Sequence, residues 1–310
     1  MLDYTVLKEM CRIHAPSGNE SAMTQYLLDH IEAQKKHWKV QPQRLSGNDL
    51  QDCIVLVFGK PRTAIFAHID SVGFSVRYHH QLIRIGGPQV KDGIKLCGAD
   101  SQGPVNCTLV NNSAGHEYDE PSYEFNRIID RGTTLTFLPE WVEDDNYIQC
   151  CYLDNRLGVF SALQVAQTLE NGIICFSCWE ETGGGSVEFL AKMIYEQYGV
   201  RQALISDITW ATEGVIHGSG CAISMRDSGI PRKSYVDKII SLVAESRIPF
   251  QLEVEASGGS DGNILHRSPY PIDWCFIGAP ESNVHSPQER VNKNDVVSMI
   301  QIYNMLMAKM

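Results

Sequence analysis

The residues in this chain whose types could do chemistry are carboxylates and histidines placed at the ends of predicted strands. They are His68 and Asp70 in Ala67-His68-Ile69-Asp70, Asp154 in Leu153-Asp154-Asn155-Arg156, the pair Glu180-Glu181, Asp207, and His285 in Val284-His285-Ser286-Pro287. Zinc accepts imidazole and carboxylate ligands, and a catalytic zinc keeps one position for water. His68, Asp154, Asp207, His285 and one of Glu180 and Glu181 make a set of five, which serves two divalent metals if a carboxylate bridges them. Three carboxylates fall one charge short of balancing two such ions, so a bridging hydroxide would bring the site near neutrality and supply the nucleophile. The second glutamate of the pair is then free to move protons. Asp70 follows His68 by two residues, on the same face of an extended chain, where it can accept the other imidazole N–H and set the tautomer. The chemistry this set suits is metal-assisted hydrolysis, above all of a peptide bond.

The elements that must hold these residues alternate in the second half of the chain. Helices are predicted over 156–169 and 187–198, around Val236, Ile239, Ile240 and Val243, and from Val296 to Met307; strands over 173–179, 203–208, 251–256 and 272–277. The apolar residues of the helices recur at i, i+3, i+4, i+7. Near the N-terminus, a helix through Leu7 and Met10 precedes Ser17-Gly18-Asn19-Glu20, whose capping-box spacing predicts the start of a helix through Met23, Leu27 and Ile31. Strands over 53–58 and 63–68 follow. Between residues 72 and 147 no long amphipathic helix is visible; β-rich runs are punctuated by Gly86-Gly87-Pro88 and Asp92-Gly93. The expected fold class is α/β, a mostly parallel sheet flanked by helices (residues 1–71 and 148–310), with a small inserted all-β, barrel-like domain (72–147). In such sheets ligands gather outside the carboxyl ends of the strands.

Composition narrows the partners. The chain has 310 residues, 43% hydrophobic and 20% charged, with net charge −11, and a nucleic-acid partner would require clustered Lys and Arg. No stretch is long and apolar enough to predict a membrane span. No secretory signal is visible at Met1-Leu2-Asp3-Tyr4, so the ten cysteines read as reduced thiols and the expected location is the cytoplasm.

Five blocks together carry a resemblance: Ala15-Pro16-Ser17-Gly18-Asn19-Glu20, His68-Ile69-Asp70-Ser71-Val72-Gly73-Phe74, Leu153-Asp154-Asn155-Arg156-Leu157-Gly158, Glu180-Glu181-Thr182-Gly183 and His285-Ser286-Pro287-Gln288-Glu289. In this order they resemble the tetrahedral-aminopeptidase family of dinuclear metallopeptidases, which includes glutamyl and deblocking aminopeptidases and members labelled endoglucanase-like. The resemblance implies one metal held by His68, Asp154 and Asp207, and a second by Asp154, Glu181 and His285. It makes Asp154 the bridge, Glu180 the general base and then acid, and Asp70 the residue that orients His68. It implies two divalent ions, zinc ahead of cobalt or manganese, peptide substrates and a large homo-oligomer to which the β insertion contributes contacts. The chain departs from the family at Ser71, at Gly184-Gly185 and at Ser282-Asn283, positions that bear on substrate and assembly.

Other readings stand beside this one. A related amidohydrolase or deacylase would use the same centre on a non-peptide amide, and a non-catalytic scaffold would not use it at all. A glycosidase fits poorly, because adjacent glutamates do not flank a sugar bond. Cys175 and Cys178 fall on opposite faces of a strand and read as buried structural thiols. Gly183-Gly184-Gly185 lacks the lysine of a phosphate loop. His79, His80, His116, His217 and His266 have no partners at ligand spacing, though His266 lies close to Asp261.

Overall fold

The computed structural model describes residues 2–111 and 120–310. Helices α1 (Thr5–Met10) and α2 (Ser21–Gln34) open the chain, and strands β1 (Gln43–Leu45), β2 (Ile54–Phe58) and β3 (Ala64–His68) follow. Ile54-Val55-Leu56-Val57-Phe58 is an unbroken apolar run, and every residue of β2 and β3 is buried, the pattern of strands covered on both faces. The capping box does not form. Glu20 accepts the N–H of Gly18 at 2.8 Å, while the Ser17 hydroxyl crosses to the Asp70 carboxylate. A buried carboxylate is a stronger acceptor than anything a helix end offers the serine.

The chain then leaves for β4 (Gly73–Val76), β5 (Leu82–Ile85), β6 (Lys95–Asp100), β7 (Gly103–Val110), β8 (Ser122–Glu124) and β9 (Thr134–Phe137). These six form an antiparallel sheet of their own, in the order β5-β4-β9-β6-β7-β8. Strands β10 (Val142–Glu143) and β11 (Tyr147–Gln149) return to the first sheet, so the chain has rejoined it slightly before residue 148.

The regular alternation follows: α3 (Leu153–Ala166), β12 (Gly172–Ser177), α4 (Val187–Tyr198), β13 (Gln202–Trp210), β14 (Cys221–Arg226), α5 (Lys233–Ser246), β15 (Phe250–Val254), α6 (Asp261–Arg267), β16 (Asp273–Ser282), β17 (Arg290–Asn292) and α7 (Lys293–Lys309). The large sheet runs β1-β2-β12-β3-β13-β16-β17-β11-β10, with β14 also on β16 and β15 beyond it. Its centre, β12-β3-β13-β16, is parallel, and antiparallel pairs flank it on both sides. The fold class is the expected one: an α/β sheet with helices, and a curled antiparallel sheet beside it. Several short elements, β14 and α6 among them, had no signal in the sequence. Cys221-Ala222-Ile223-Ser224-Met225-Arg226 becomes a strand through pairing with β15 and β16. The helix α6 has only seven residues, too few to show a period, and is started by Ser260, whose Oγ accepts the N–H of Gly262.

Candidate metal centre

Strand register brings the chemistry-bearing residues to one place. β3 ends at His68 beside Ser177 of β12. The pairing of β13 on β3, Ala203 with Ala64 through Ile205 with Phe66, carried two residues further sets Asp207 level with His68. Asp207 therefore stands three residues inside its strand and not at its end, because β16 pairs with β13 all the way to Trp210. His68 Nε2 lies 3.3 Å from Asp154 Oδ1 and 3.6 Å from Asp207 Oδ2. His285 Nε2 lies 3.2 Å from Asp154 Oδ2 and 3.2 Å from Glu181 Oε2. Two sets of donor atoms result, His68-Asp154-Asp207 and Asp154-Glu181-His285, each within 4.8 Å of one another. They meet at Asp154, which turns one oxygen to each histidine.

The way Asp154 is presented explains its neighbours in sequence. Asp154 and Asn155 have non-helical backbone angles, so regular helix begins at Arg156. Asn155 Oδ1 accepts the N–H of Gly158, and its Nδ2 donates to the Ser206 carbonyl at 2.9 Å, fastening the start of α3 to β13. Gly158 allows this approach, since a Cβ there would come within 2.1 Å of Ser206 O. Arg156 is fully buried, and its Nη1 donates to the carbonyls of Ile69 and Asp70.

Asp70 does more than its spacing from His68 suggests. Its Oδ1 is 3.4 Å from His68 Nδ1, and its two oxygens also accept the Ser17 hydroxyl and the backbone N–H groups of Glu180 and Glu181 at 3.1 and 3.2 Å. Burial works to raise its pKa, but His68 and these hydrogen bonds hold it below the ordinary carboxylate value. The same contacts clamp the turn after β12 so that the two glutamates diverge. Glu181 faces His285, whereas Glu180 stays outside both donor sets, its Oε2 3.9 Å from His68 Nε2.

The field of the site favours positive charge. Burial lowers the pKa of His68, yet Asp207, Asp154 and Asp70 hold it well above the usual histidine value. His285 is likewise pushed up to about 12 by Asp154 and Glu181 against the effect of burial. Burial puts Glu180 well above the ordinary carboxylate range, with His68 opposing and Asp207 and Glu181 adding to the rise. Glu181 Oε1 is buried without a hydrogen-bond partner. Oxygen and imidazole donors crowded in this way, with an excess of carboxylates, fit a pair of divalent cations. An N–H on His285 Nδ1 donates to the Gly87 carbonyl at 3.2 Å, which leaves Nε2 to bind.

Glu289 is the positioning residue that residue types alone did not reveal. It is completely buried, and its Oε1 and Oε2 accept the backbone N–H groups of His285 (2.9 Å) and Asp154 (3.2 Å). One carboxylate thus holds two residues 131 positions apart. Glutamine at 289 would offer one oxygen and a mismatched NH2, so Glu289→Gln is expected to weaken cation binding about 10–100-fold. Competition titration with a metal chelator measures this; unchanged affinity would remove Glu289 from the site. The remaining candidates stay outside the cluster. Cys175 and Cys178 are free and buried, His217 bonds to Ser282, His266 packs on Trp274, and His116 lies outside the described residues.

The sequence matches the family model described as M42 glutamyl aminopeptidase over residues 120–302, more than half of the chain. A protein of Acetivibrio thermocellus, named for an inferred aminopeptidase activity, is 24% identical over 329 aligned positions that cover 96% of each chain. Among solved structures, aminopeptidase APDkam598 from the archaeon Desulfurococcus kamchatkensis matches with a TM-score of 0.84 at 20% identity, over 98% of this chain and 94% of that one. The TET1 peptidase of Pyrococcus horikoshii, described as assembling into a tetrahedron or a large octahedral shell, gives 0.78 at 18% identity over 97% and 98%. At these identities the structural likeness speaks for the fold.

Proposed function

The chain belongs to the M42 glutamyl aminopeptidase family, and on that premise we propose that it is a dinuclear metal-dependent aminopeptidase removing N-terminal residues from peptides. The observation that carries this reading is the meeting of two donor sets at the two oxygens of Asp154. His68, Asp154 and Asp207 would hold one ion and Asp154, Glu181 and His285 the other, with zinc the best match to imidazole and carboxylate donors. Such ions would supply Lewis acidity toward the scissile carbonyl and lower the pKa of water at the centre.

The protein's own residues do the rest. Glu180, held by its backbone N–H to Asp70 and excluded from both donor sets, takes a proton at its carboxylate and returns it to the leaving amine. Asp70, with Oδ1 3.4 Å from His68 Nδ1, would orient that ring, and the Gly87 carbonyl keeps a proton on His285 Nδ1. A cavity of about 290 Å³ opens at this centre and receives the chain end. Residues 72–147, apart from β10 and the start of β11, which rejoin the large sheet, would form an inserted domain contributing contacts to a homo-oligomer; the described assembly of the Pyrococcus relative supports the homo-oligomer. The ten cysteines, all free, accord with a cytoplasmic location; no helix among the described residues is long and apolar enough to cross a membrane.

Aminoacyl anilides assayed beside N-acylated amino acids, with zinc, cobalt, manganese or a chelator, test the reading. Chelator-sensitive release from the aminoacyl substrates is expected. Hydrolysis confined to the N-acylated compounds would make the enzyme a deacylase.

A further inference from the structure

The cavity beside the metal centre has a second acidic wall that takes no part in the chemistry described above. It is formed where the parallel strands β14 and β15 end, Ser224 pairing with Glu253, and it carries Asp227, Glu253 and Glu255. On β15 the neighbours Leu252 and Val254 are exposed, while Glu253 points inward and is 3% exposed. A glutamate thus occupies the inward position of an alternating strand, where acidic residues are almost never found without a partner. It accepts from the Thr209 hydroxyl, and the Ser224 hydroxyl also works against the rise that burial gives its pKa. Asp227 is 7% exposed, and Oδ1 accepts the Gly229 N–H at 2.6 Å.

No ion pair neutralises this wall among the described residues, although the nearby Arg226 opposes the rise that burial gives the Asp227 pKa. No lysine or arginine lines the cavity among the described residues. None forms an ion pair with any of the three carboxylates, and Arg226 directs its Nε to the backbone carbonyl of Asp227. Two divalent ions would be engaged by the carboxylates of the metal centre, leaving Glu253 and Glu255 without an ion pair and Asp227 with only the nearby Arg226. Placement along β13 sets their distance from the reaction. Asp207 and Thr209 share one face of the strand, two residues or roughly 7 Å apart, so Glu253 sits one side-chain length beyond the metal centre. Trp210 and Phe276 line the same space and can cover an aliphatic stem while its charged end reaches the carboxylates.

We propose that this wall is the specificity pocket for a cationic side chain, and that the enzyme removes N-terminal lysine and arginine in preference to neutral or acidic residues. The proposal rests on the aminopeptidase reading. It runs against the acidic-residue preference that the family description would suggest, since a substrate glutamate would face three carboxylates. The flexible four-carbon stem of lysine matches the separation along β13.

The test uses the full-length, metal-loaded protein and fluorogenic amides of lysine, arginine, leucine and glutamate. Wild type is expected to show kcat/KM for lysine and arginine at least about tenfold above leucine, with glutamate lowest. Glu253→Gln and Asp227→Asn should each lower the lysine-to-leucine ratio about tenfold, chiefly through KM. Glu255→Gln, at a half-exposed position where folding is not at stake, should lower it less. A preference for leucine or glutamate in wild type overturns the proposal. So does a ratio unchanged in all three variants, since a wall that grips the α-ammonium common to every substrate would weaken all of them alike. Absence of hydrolysis with every aminoacyl amide overturns the underlying reading and this proposal with it, whereas hydrolysis with the wrong preference overturns this proposal alone.

Discussion

Glu180→Gln is expected to reduce turnover by roughly 10²–10⁴ while leaving fold and bound metal intact. Glu180 is adjacent in sequence to a candidate ligand, yet its side chain belongs to neither donor set, so replacing it removes no metal contact. Its backbone N–H stays bonded to Asp70 whatever the side chain, and glutamine fills the same volume. What is lost is a carboxylate that can accept a proton 3.9 Å from the His68 ring. Steady-state kinetics together with metal analysis of the purified variant give the answer. A variant that keeps a tenth or more of wild-type turnover would pass the proton-transfer role to another group.

Asp154→Ala should have the largest effect of any single replacement, because it empties both halves of the centre at once. Asp154 gives Oδ1 to the His68 set and Oδ2 to the His285 set, and no other residue belongs to both. If the proposed centre holds two ions, metal content is expected to fall from two per chain to near none, and affinity by well over the roughly 100-fold typical of losing a supporting contact. His285→Ala supplies the contrast, since it damages one set and leaves His68, Asp154 and Asp207 in place. Metal analysis after dialysis distinguishes the two variants. If Asp154→Ala retained two tightly bound ions, the shared-ligand arrangement would be wrong.

Much of this was legible before any fold was known, for reasons that differ by element. The buried strands β2, β3 and β12 are uninterrupted apolar runs, and α4 and α7 carry a clear helical period, so composition and spacing reveal them directly. Short elements do not announce themselves. The strand β14 exists because β15 and β16 pair with it, and α6 is too brief for its period to be seen. Ser17 shows the same limit at the level of one side chain. Its local pattern signals a helix cap, but the stronger acceptor is Asp70, brought alongside by the fold.

The site divides along the same line. Sequence by itself supplied the kinds of candidate donor and their order, because His68, Asp154, Asp207 and His285 stand within or beside elements whose strands it predicts, and Glu180-Glu181 follow a strand directly. Residue types alone did not say which member of the Glu180-Glu181 pair faces a histidine; only the family resemblance pointed to Glu181. Sequence also could not say that Glu289 supports both Asp154 and His285, or that Asp227 and Glu253 close the far side of the cavity. Those facts depend on parallel register between strands distant in the chain, and on a turn clamped by Asp70. Contacts of that kind are made through space, by backbone hydrogen bonds that no local pattern of residues encodes.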